Sequence, residues 1–242
     1  MDKSYYKNKL HRLLDKRIFN LRLIFKDHGW IAHHGIERSG TNFLRSCLLD
    51  LGIDIINKFD LPEGSIGHKH FRWYENKQKI PSFRSNFYNQ NTVKDIKDLN
   101  KLCSFKKDTK HIVIKKDLFS NVASIANYGL REGWFLSKDE AKSNFDNIIN
   151  DYKNYYSFWE KMQKNFPEKV VIISLESLNG SSLELVKALK KLKIKIKIKI
   201  KPPEKFYFDE VRQSKKTRVS FFSSEDVAEI LKKRTKMKSI SY

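Results

Sequence analysis

Arg38, Ser39, Gly40, Thr41 and Asn42 stand in a row between a short strand-like run, Trp30-Ile31-Ala32-His33-His34-Gly35, and a helical pattern of Phe43, Leu44, Cys47, Leu48 and Leu51. A glycine-bearing loop between a strand and a helix lets successive backbone N–H groups converge on a phosphate, and the helix N-terminus adds partial positive charge. The stretch Gly35-Ile36-Glu37-Arg38-Ser39-Gly40-Thr41-Asn42 is therefore a phosphate cradle by position, with Arg38 as its cation. A nucleotide-hydrolysing loop of the form G-x-x-x-x-G-K-[ST] carries lysine after its second glycine. Thr41 holds that place here, which argues against ordinary ATP hydrolysis.

A second group follows the apolar run His111-Ile112-Val113-Ile114. In Lys116-Asp117-Leu118-Phe119-Ser120-Asn121-Val122-Ala123-Ser124, Lys116 and Ser124 bracket a turn and the first helical turns. That spacing lets both meet one anionic group at a helix start. A third group, Gly67-His68-Lys69-His70-Phe71-Arg72, offers an imidazole as general base, since a histidine titrates near the working pH. His70 is the first choice and His68 the second. A zinc reading of His33, His34, His68 and His70 lacks acidic or cysteine partners at ligand spacing.

These groups need a scaffold, and the pattern supplies one. Strands are expected at 30–35, 111–114 and 170–174, each followed by a helix: from Phe43, from about Ser120 to Tyr128, and from Leu183 to Leu192. Ser137-Lys138-Asp139-Glu140 reads as a capping box opening one long helix to about Asn165. Alternating strands and helices imply an α/β domain of three layers, a central and mostly parallel sheet flanked by helices. Residues 191–201 alternate lysine with Leu192, Ile194, Ile196, Ile198 and Ile200, the period of an edge strand with one lysine face. Residues 4–27 place Leu10, Leu13, Leu14, Ile18, Leu21 and Ile24 among cations at helical spacing, so 1–28 reads as a basic amphipathic helix ahead of a single domain over 29–242. Such a helix packs on the core or lies on an anionic membrane.

Composition narrows the classes. The 242 residues hold 49 Lys+Arg against 28 Asp+Glu, a formal charge of +21, with 40% hydrophobic and 13% aromatic residues. That is too much apolar material for a disordered basic tail. No run reaches the roughly 18 to 20 apolar residues of a membrane-spanning helix, and the N-terminus lacks the apolar segment of a secretory signal. Two cysteines, Cys47 and Cys103, cannot make a disulfide scaffold, so a cytoplasmic setting is expected. An enzyme with an anionic substrate, a membrane-surface protein and a nucleic-acid binder remain. The last lacks any recognisable module.

Taken together, the first two groups resemble the sulfotransferase family that uses 3′-phosphoadenosine 5′-phosphosulfate (PAPS). Arg38-Ser39-Gly40-Thr41-Asn42-Phe43 is similar to its [KR]-S-G-T-[TS]-[WF] loop, which holds the 5′-phosphosulfate. Lys116-Asp117-Leu118 through Ser124 is similar to its R-[ND]-P-x(5)-S segment, which holds the 3′-phosphate. Val170-Val171-Ile172-Ile173-Ser174-Leu175-Glu176-Ser177-Leu178 resembles its strand ending in Y-E-D-L. The resemblance covers residues 30 to 190 in motif order. It implies a P-loop-like domain that transfers a sulfuryl group, without a metal, to a hydroxyl or amine. Arg38, Ser39, Gly40, Thr41, Asn42, Phe43, Lys116 and Ser124 would bind the nucleotide, and Arg38 and His70 would act in catalysis.

The chain departs from the pattern in ways that bear on this. Lys116 replaces arginine, keeping charge but losing the bidentate fork. Leu118 replaces proline, and Leu175 replaces a tyrosine that contacts adenine in many members. The R-K-G element has no clear counterpart, with Arg212, Lys215, Lys216 and Arg218 as candidates. Residues 71–105 and 129–136, with Trp73, Tyr74, Phe83, Phe87, Tyr88 and Trp134, are the expected acceptor loops or, equally, the core of an irregular region; as acceptor loops the aromatics with Arg72 and Arg84 suit a sugar or an acidic glycan. A P-loop phosphotransferase and a non-enzymatic nucleic-acid binder are the alternatives.

Overall fold

The computed structural model describes residues 30–57, 66–75, 88–89, 93–194 and 220–240. Residues 1–28, the strip from 195 to 201, Phe83, Arg84 and Phe87, and Arg212, Lys215, Lys216 and Arg218 lie outside them.

Continuous β-branched runs build the sheet. Strands β1 (Ile31–His34), β4 (Lys110–Lys115) and β5 (Val170–Ser174) are parallel, in the order β1-β4-β5. Ile31 pairs with Lys110 and His34 with Val113, while His111 pairs with Val170 and Lys115 with Ser174. A separate two-stranded parallel ladder joins β2 (Arg72–Glu75) to β3 (Tyr88–Asn89), a pairing the sequence pattern does not announce.

Alternation along the strands feeds two cores. Ile31, Ile112, Ile114, Val171 and Ile173 face Phe43, Leu44, Cys47 and Leu48 of α1 (Thr41–Asp50), Leu178 of α6 (Leu175–Gly180), and Leu185 and Leu189 of α7 (Ser182–Lys191). On the other face Val113 and Val170 meet Ile96 and Leu99 of α2 (Ile96–Leu102) and Tyr152, Tyr155, Tyr156 and Trp159 of α5 (Phe145–Asn165). A third cluster ties α3 (Leu118–Arg131), α4 (Lys138–Ser143) and the start of α5 to α8 (Ser224–Ile240) through Val122, Ile125, Ala141, Phe145, Phe222 and Val227. The molecule is thus mixed α/β, a small open parallel sheet with helices on both faces.

One expected helix is two. Ser137 caps α4 by accepting from Glu140 N–H, while Glu140 Oε2 accepts from Leu136 N–H at 2.7 Å. The Glu140 carbonyl then draws both Ser143 Oγ (2.7 Å) and Asn144 Nδ2 (2.9 Å), and the chain turns at Asn144 before α5 begins. Side chains competing for a helix carbonyl end the helix. The strip also begins differently: Lys191 closes α7 and Lys193 adopts a left-handed φ of 56°, a turn rather than a strand.

Candidate functional site

Parallel strands deliver their following loops to one end of the sheet, and the cradle lies at the exit of β1. Gly35 opens it with no room for a side chain. A Cβ there would sit 2.5 Å from Ser39 Oγ, 2.7 Å from Thr41 Cγ2 and 2.8 Å from Ile114 Cγ2, so the loop folds back onto its first residue. Arg38 (φ 63°) and Gly40 (φ 97°) both lie in the left-handed region. For a side-chain-bearing residue that conformation costs about 1–2 kcal/mol, and it persists here on either side of a buried serine. Left-handed residues interleaved with others turn successive N–H groups to one side, the geometry of an anion nest. Gly40 is the N-cap of α1, and its carbonyl accepts from Leu44 N–H at 3.0 Å.

The exits of the neighbouring strands meet this loop. From β5, Leu175 packs on Gly40: its Cδ1 would be 2.8 Å from a Cβ at that position. From β4, α3 lies alongside. Asn121 Nδ2 donates to Glu37 O at 3.0 Å, and the Arg38 guanidinium lies over the Tyr128 ring, 4.6 Å from its centroid. Ser124 falls between Asn121 and Tyr128 on the same stripe of the helix, three residues after one and four before the other, and is half-buried. Its stripe therefore runs along the cradle. Lys116 is half-buried at the start of this stretch, and its carbonyl accepts from Tyr152 Oη at 2.5 Å. Asp117 caps α3 by accepting from Ser120 N–H, and Glu176 accepts from Asp117 N–H at 3.1 Å. Both carboxylates at the strand exits thus serve backbone N–H groups.

The segment carrying His70 clamps the start of the cradle. Gly35 N–H donates to Lys69 O at 3.1 Å, and His70 Nδ1–H donates to Gly35 O at 2.7 Å. A carbonyl only accepts, so the imidazole proton sits on Nδ1 and the lone pair on Nε2. Burial lowers the His70 pKa to about 3, against the pull of Glu37 and Gly35 O toward the charged form. The expectation that His70 titrates near neutrality is corrected accordingly: it is a neutral acceptor across the physiological range. His68 Nδ1 accepts from His70 N–H at 3.1 Å, so that nitrogen of the second candidate is engaged in holding the first.

Two residues to which the sequence reading gave no role belong beside the site. Lys69 Nζ donates to the exposed Asn42 Oδ1 at 2.9 Å, bringing a cation to the first turn of α1. Glu37 is buried and accepts from Arg72 through both oxygens, at 2.8 and 2.6 Å. Arg72 also donates to Asp151 at 3.2 and 2.7 Å and to the carbonyl of His70, so every N–H of its guanidinium is used. Burial works against its charge, and Asp151 and Glu37 more than offset this, holding its pKa well above the ordinary value. Arg72 and Trp73 are fully enclosed, so for these two the core reading holds and the acceptor-loop reading does not. Arg72 instead ties the cradle, the His70 segment and α5 together. Of the other expected acceptor-side residues, Trp134 meets the Tyr128 ring edge-on at 4.9 Å.

The other expected contacts divide by exposure. Thr41 and Phe43 are buried, Phe43 in the core beneath α1, which leaves their backbone N–H groups, and not their side chains, as what an anion could meet. Ser39 lies buried beside Tyr156, whose hydroxyl donates to Ile114 O at 2.8 Å.

The sheet itself holds three neutral histidines. Asn100 Nδ2 donates to Lys107 O, which leaves Oδ1 to accept from His111 Nε2–H at 2.9 Å; His111 Nδ1 in turn accepts from His34 Nε2–H at 3.0 Å. His33 Nδ1–H donates to Asn57 Oδ1 at 2.7 Å. Burial first of all lowers His33 and His111 to about 3 and His34 well below its ordinary value. Among the described residues no helix is long and apolar enough to cross a membrane. No protein-family model, curated protein or solved structure matches the chain.

Proposed function

We propose that the chain is a sulfotransferase with a P-loop-like domain, moving a sulfuryl group from PAPS to a hydroxyl or amine of an acceptor, a carbohydrate first among them. The observation that carries this reading is the convergence of two motifs far apart in sequence. The Arg38 loop leaves β1, the Ser124 stripe leaves the adjacent β4, and Asn121 and Tyr128 hold the stripe against the loop. One anionic group at the nest and a second near Lys116 and Ser124 match a nucleotide with phosphates at both ends of its ribose. Gly35 and Gly40 let the loop close tightly on Ser39, Thr41 and Leu175, the compact turn on which a fixed set of backbone N–H donors depends.

In the reaction the bond between sulfur and the bridging oxygen of the 5′-phosphate breaks as a bond forms from sulfur to the acceptor atom. Arg38 and the N–H groups from Ser39 to Asn42 stabilise charge gathering on the leaving phosphate. The acceptor proton passes to Nε2 of His70, whose tautomer Gly35 O already sets. A polyanion beside the ring raises its proton affinity, bringing a base of low resting pKa toward its task.

The test is transfer of radiolabelled sulfate to a panel of glycans and small alcohols, with binding of adenosine 3′,5′-bisphosphate measured separately. Wild type is expected to do both, and Arg38→Ala and His70→Ala to lose transfer. A wild-type protein that does neither overturns the reading. Full turnover by Arg38→Ala would mean that the site is elsewhere.

A further inference from the structure

The stripe of α3 that runs along the cradle continues past it. Asn121, Ser124, Tyr128 and Arg131 recur at intervals of three and four residues, so one face of the helix carries all four. Asn121 bonds Glu37 O, the Arg38 guanidinium lies over Tyr128, and Arg131 stands in the last turn with its guanidinium 6.0 Å from the centroid of the same ring. Ser124 and Arg131 are two helical turns apart, about 10 Å along the axis. The 3′-phosphate contacts proposed above lie at the Ser124 end, so Arg131 stands beyond them.

The loop after α3 is fastened to the same place. Glu132 N–H donates to Tyr128 O at 3.0 Å, and Gly129 O accepts from both Trp134 N–H at 2.8 Å and Phe135 N–H at 3.3 Å. A Cβ on Gly129 would lie 2.6 Å from Cδ2 and Cε2 of the buried Phe135 ring and 3.4 Å from Trp134 Cβ, so a side chain there would force the loop off the helix. Trp134 is thereby held edge-on to Tyr128 with the ring centroids 4.9 Å apart, and it and Arg131 are both half-buried. An indole and a guanidinium are thus set around one tyrosine by backbone bonds and ring contacts, before any ligand arrives.

Those two groups suit one class of acceptor. The π face of an indole carries partial negative charge, which favours the C–H face of a pyranose. The planar fork of a guanidinium matches a carboxylate through two parallel bonds. Arg72, a cation that the sequence offered to an acidic acceptor, is fully enclosed and engaged with Glu37 and Asp151, so that role falls to a residue nearer the surface. We infer that Arg131 and Trp134 form an acceptor subsite for a carboxylated saccharide, Trp134 taking the sugar ring and Arg131 its carboxylate. Arg38, on the shared tyrosine, then stands between this subsite and the Ser124 end of the stripe. The inference rests on the sulfotransferase reading for its chemistry, while the saccharide contacts can be measured without it.

The test compares tetragalacturonic acid with the same oligosaccharide after carboxyl reduction, in calorimetric binding to the full-length chain and in sulfate transfer from PAPS. Wild type is expected to bind the acid about ten-fold more tightly than the neutral form, the ratio for one charge-assisted contact, and to show a KM lower to match. Arg131→Gln should abolish that preference and Arg131→Lys should keep part of it, whereas a mere loosening of Arg38 on its shelf would slow both acceptors alike. Trp134→Ala should weaken both forms about ten-fold, and Trp134→Phe should restore most of the loss. A preference that survives Arg131→Gln, or a wild type that binds the two forms equally or binds neither, overturns the inference. Saccharide binding that depends on Arg131, in a protein that neither transfers sulfate nor binds adenosine 3′,5′-bisphosphate, would sustain the subsite and sink the sulfotransferase reading. Transfer that needs Arg38 and is indifferent to Arg131 with both acceptors would do the reverse.

Discussion

The Arg38 guanidinium lies over the Tyr128 ring, 4.6 Å from its centroid, with Arg131 6.0 Å from the same ring. A ring flanked by two guanidinium groups is a firm shelf, since each cation is drawn to the π face and Trp134 backs the edge. The cation of the cradle is thus set by a residue of α3 that sequence reading had passed over.

Replacing Tyr128 with leucine removes the face but keeps apolar bulk. Loss of about 0.5–2 kcal/mol of cation–π attraction should lower kcat/KM for sulfate transfer by about 2- to 30-fold. Tyr128→Phe should restore most of it. Equal losses for leucine and phenylalanine would point to the hydroxyl and away from the shelf.

The lowered pKa of His70 sets the pH profile. A base works when neutral, which His70 is at every pH above about 3. The acid limb of kcat/KM reports the free enzyme, so the profile should stay level from about pH 8 down to about pH 5. A break near the ordinary histidine value of about 6.5 would assign the base elsewhere. In kcat, read in the complex, the break should lie higher than in kcat/KM, because the bound polyanion favours the imidazolium.

His33, His34, His111 and His70 make folding stability depend on pH in a definite direction. Each has a folded pKa far below its unfolded value, so between about 3 and 6.5 the unfolded chain binds more protons. Stability is whole above about pH 6.5 and falls as the pH drops through that window. At pH 5.5 each histidine should cost about 1.4 kcal/mol relative to neutral pH. Urea melts at pH 7.5 and 5.5 measure the sum, and His111→Gln should reduce the difference between them. A pH-independent midpoint would refute the buried neutral assignment.

Arg72 makes a different kind of prediction. Removing one member of a buried ionic cluster strands the others, at a typical cost of about 3–5 kcal/mol. Arg72→Met should therefore leave Glu37 and Asp151 facing one another and lower the urea midpoint sharply. Arg72→Lys should rescue little, because an ammonium cannot serve two carboxylates and the His70 carbonyl from one fixed fork. Rescue by the triple change Arg72→Met, Glu37→Gln, Asp151→Asn would confirm that stranded charge causes the loss.

How much of this was legible beforehand depended on whether the signal was local. Val113 and Ile114, or Val170 to Ile173, spell out buried strands in consecutive letters, and the glycine-bearing loop after β1 declared itself by its neighbours. Arg72 did not. In His-Lys-His-Phe-Arg-Trp-Tyr-Glu it reads as an acceptor-side cation, and its burial makes sense only with Glu37 and Asp151, 35 and 79 residues away. The Lys69–Asn42 bond spans 27 residues and is equally silent in either segment alone. The break at Asn144 was readable in part, since Ser143 and Asn144 compete for a helix carbonyl, yet the apolar spacing on either side outweighed them.

The bond between His34 and His111 joins residues 77 apart, and the cradle hangs on the strand that this bond anchors. Closing so long a loop is entropically slow and is repaid only once β1 finds β4. A chain emerging from the ribosome has every residue of the cradle long before it has the strand that gives the cradle its shape. Anion binding should therefore appear late in refolding, in step with formation of the β1–β4 ladder, and nucleotide added during refolding should accelerate nothing before that step.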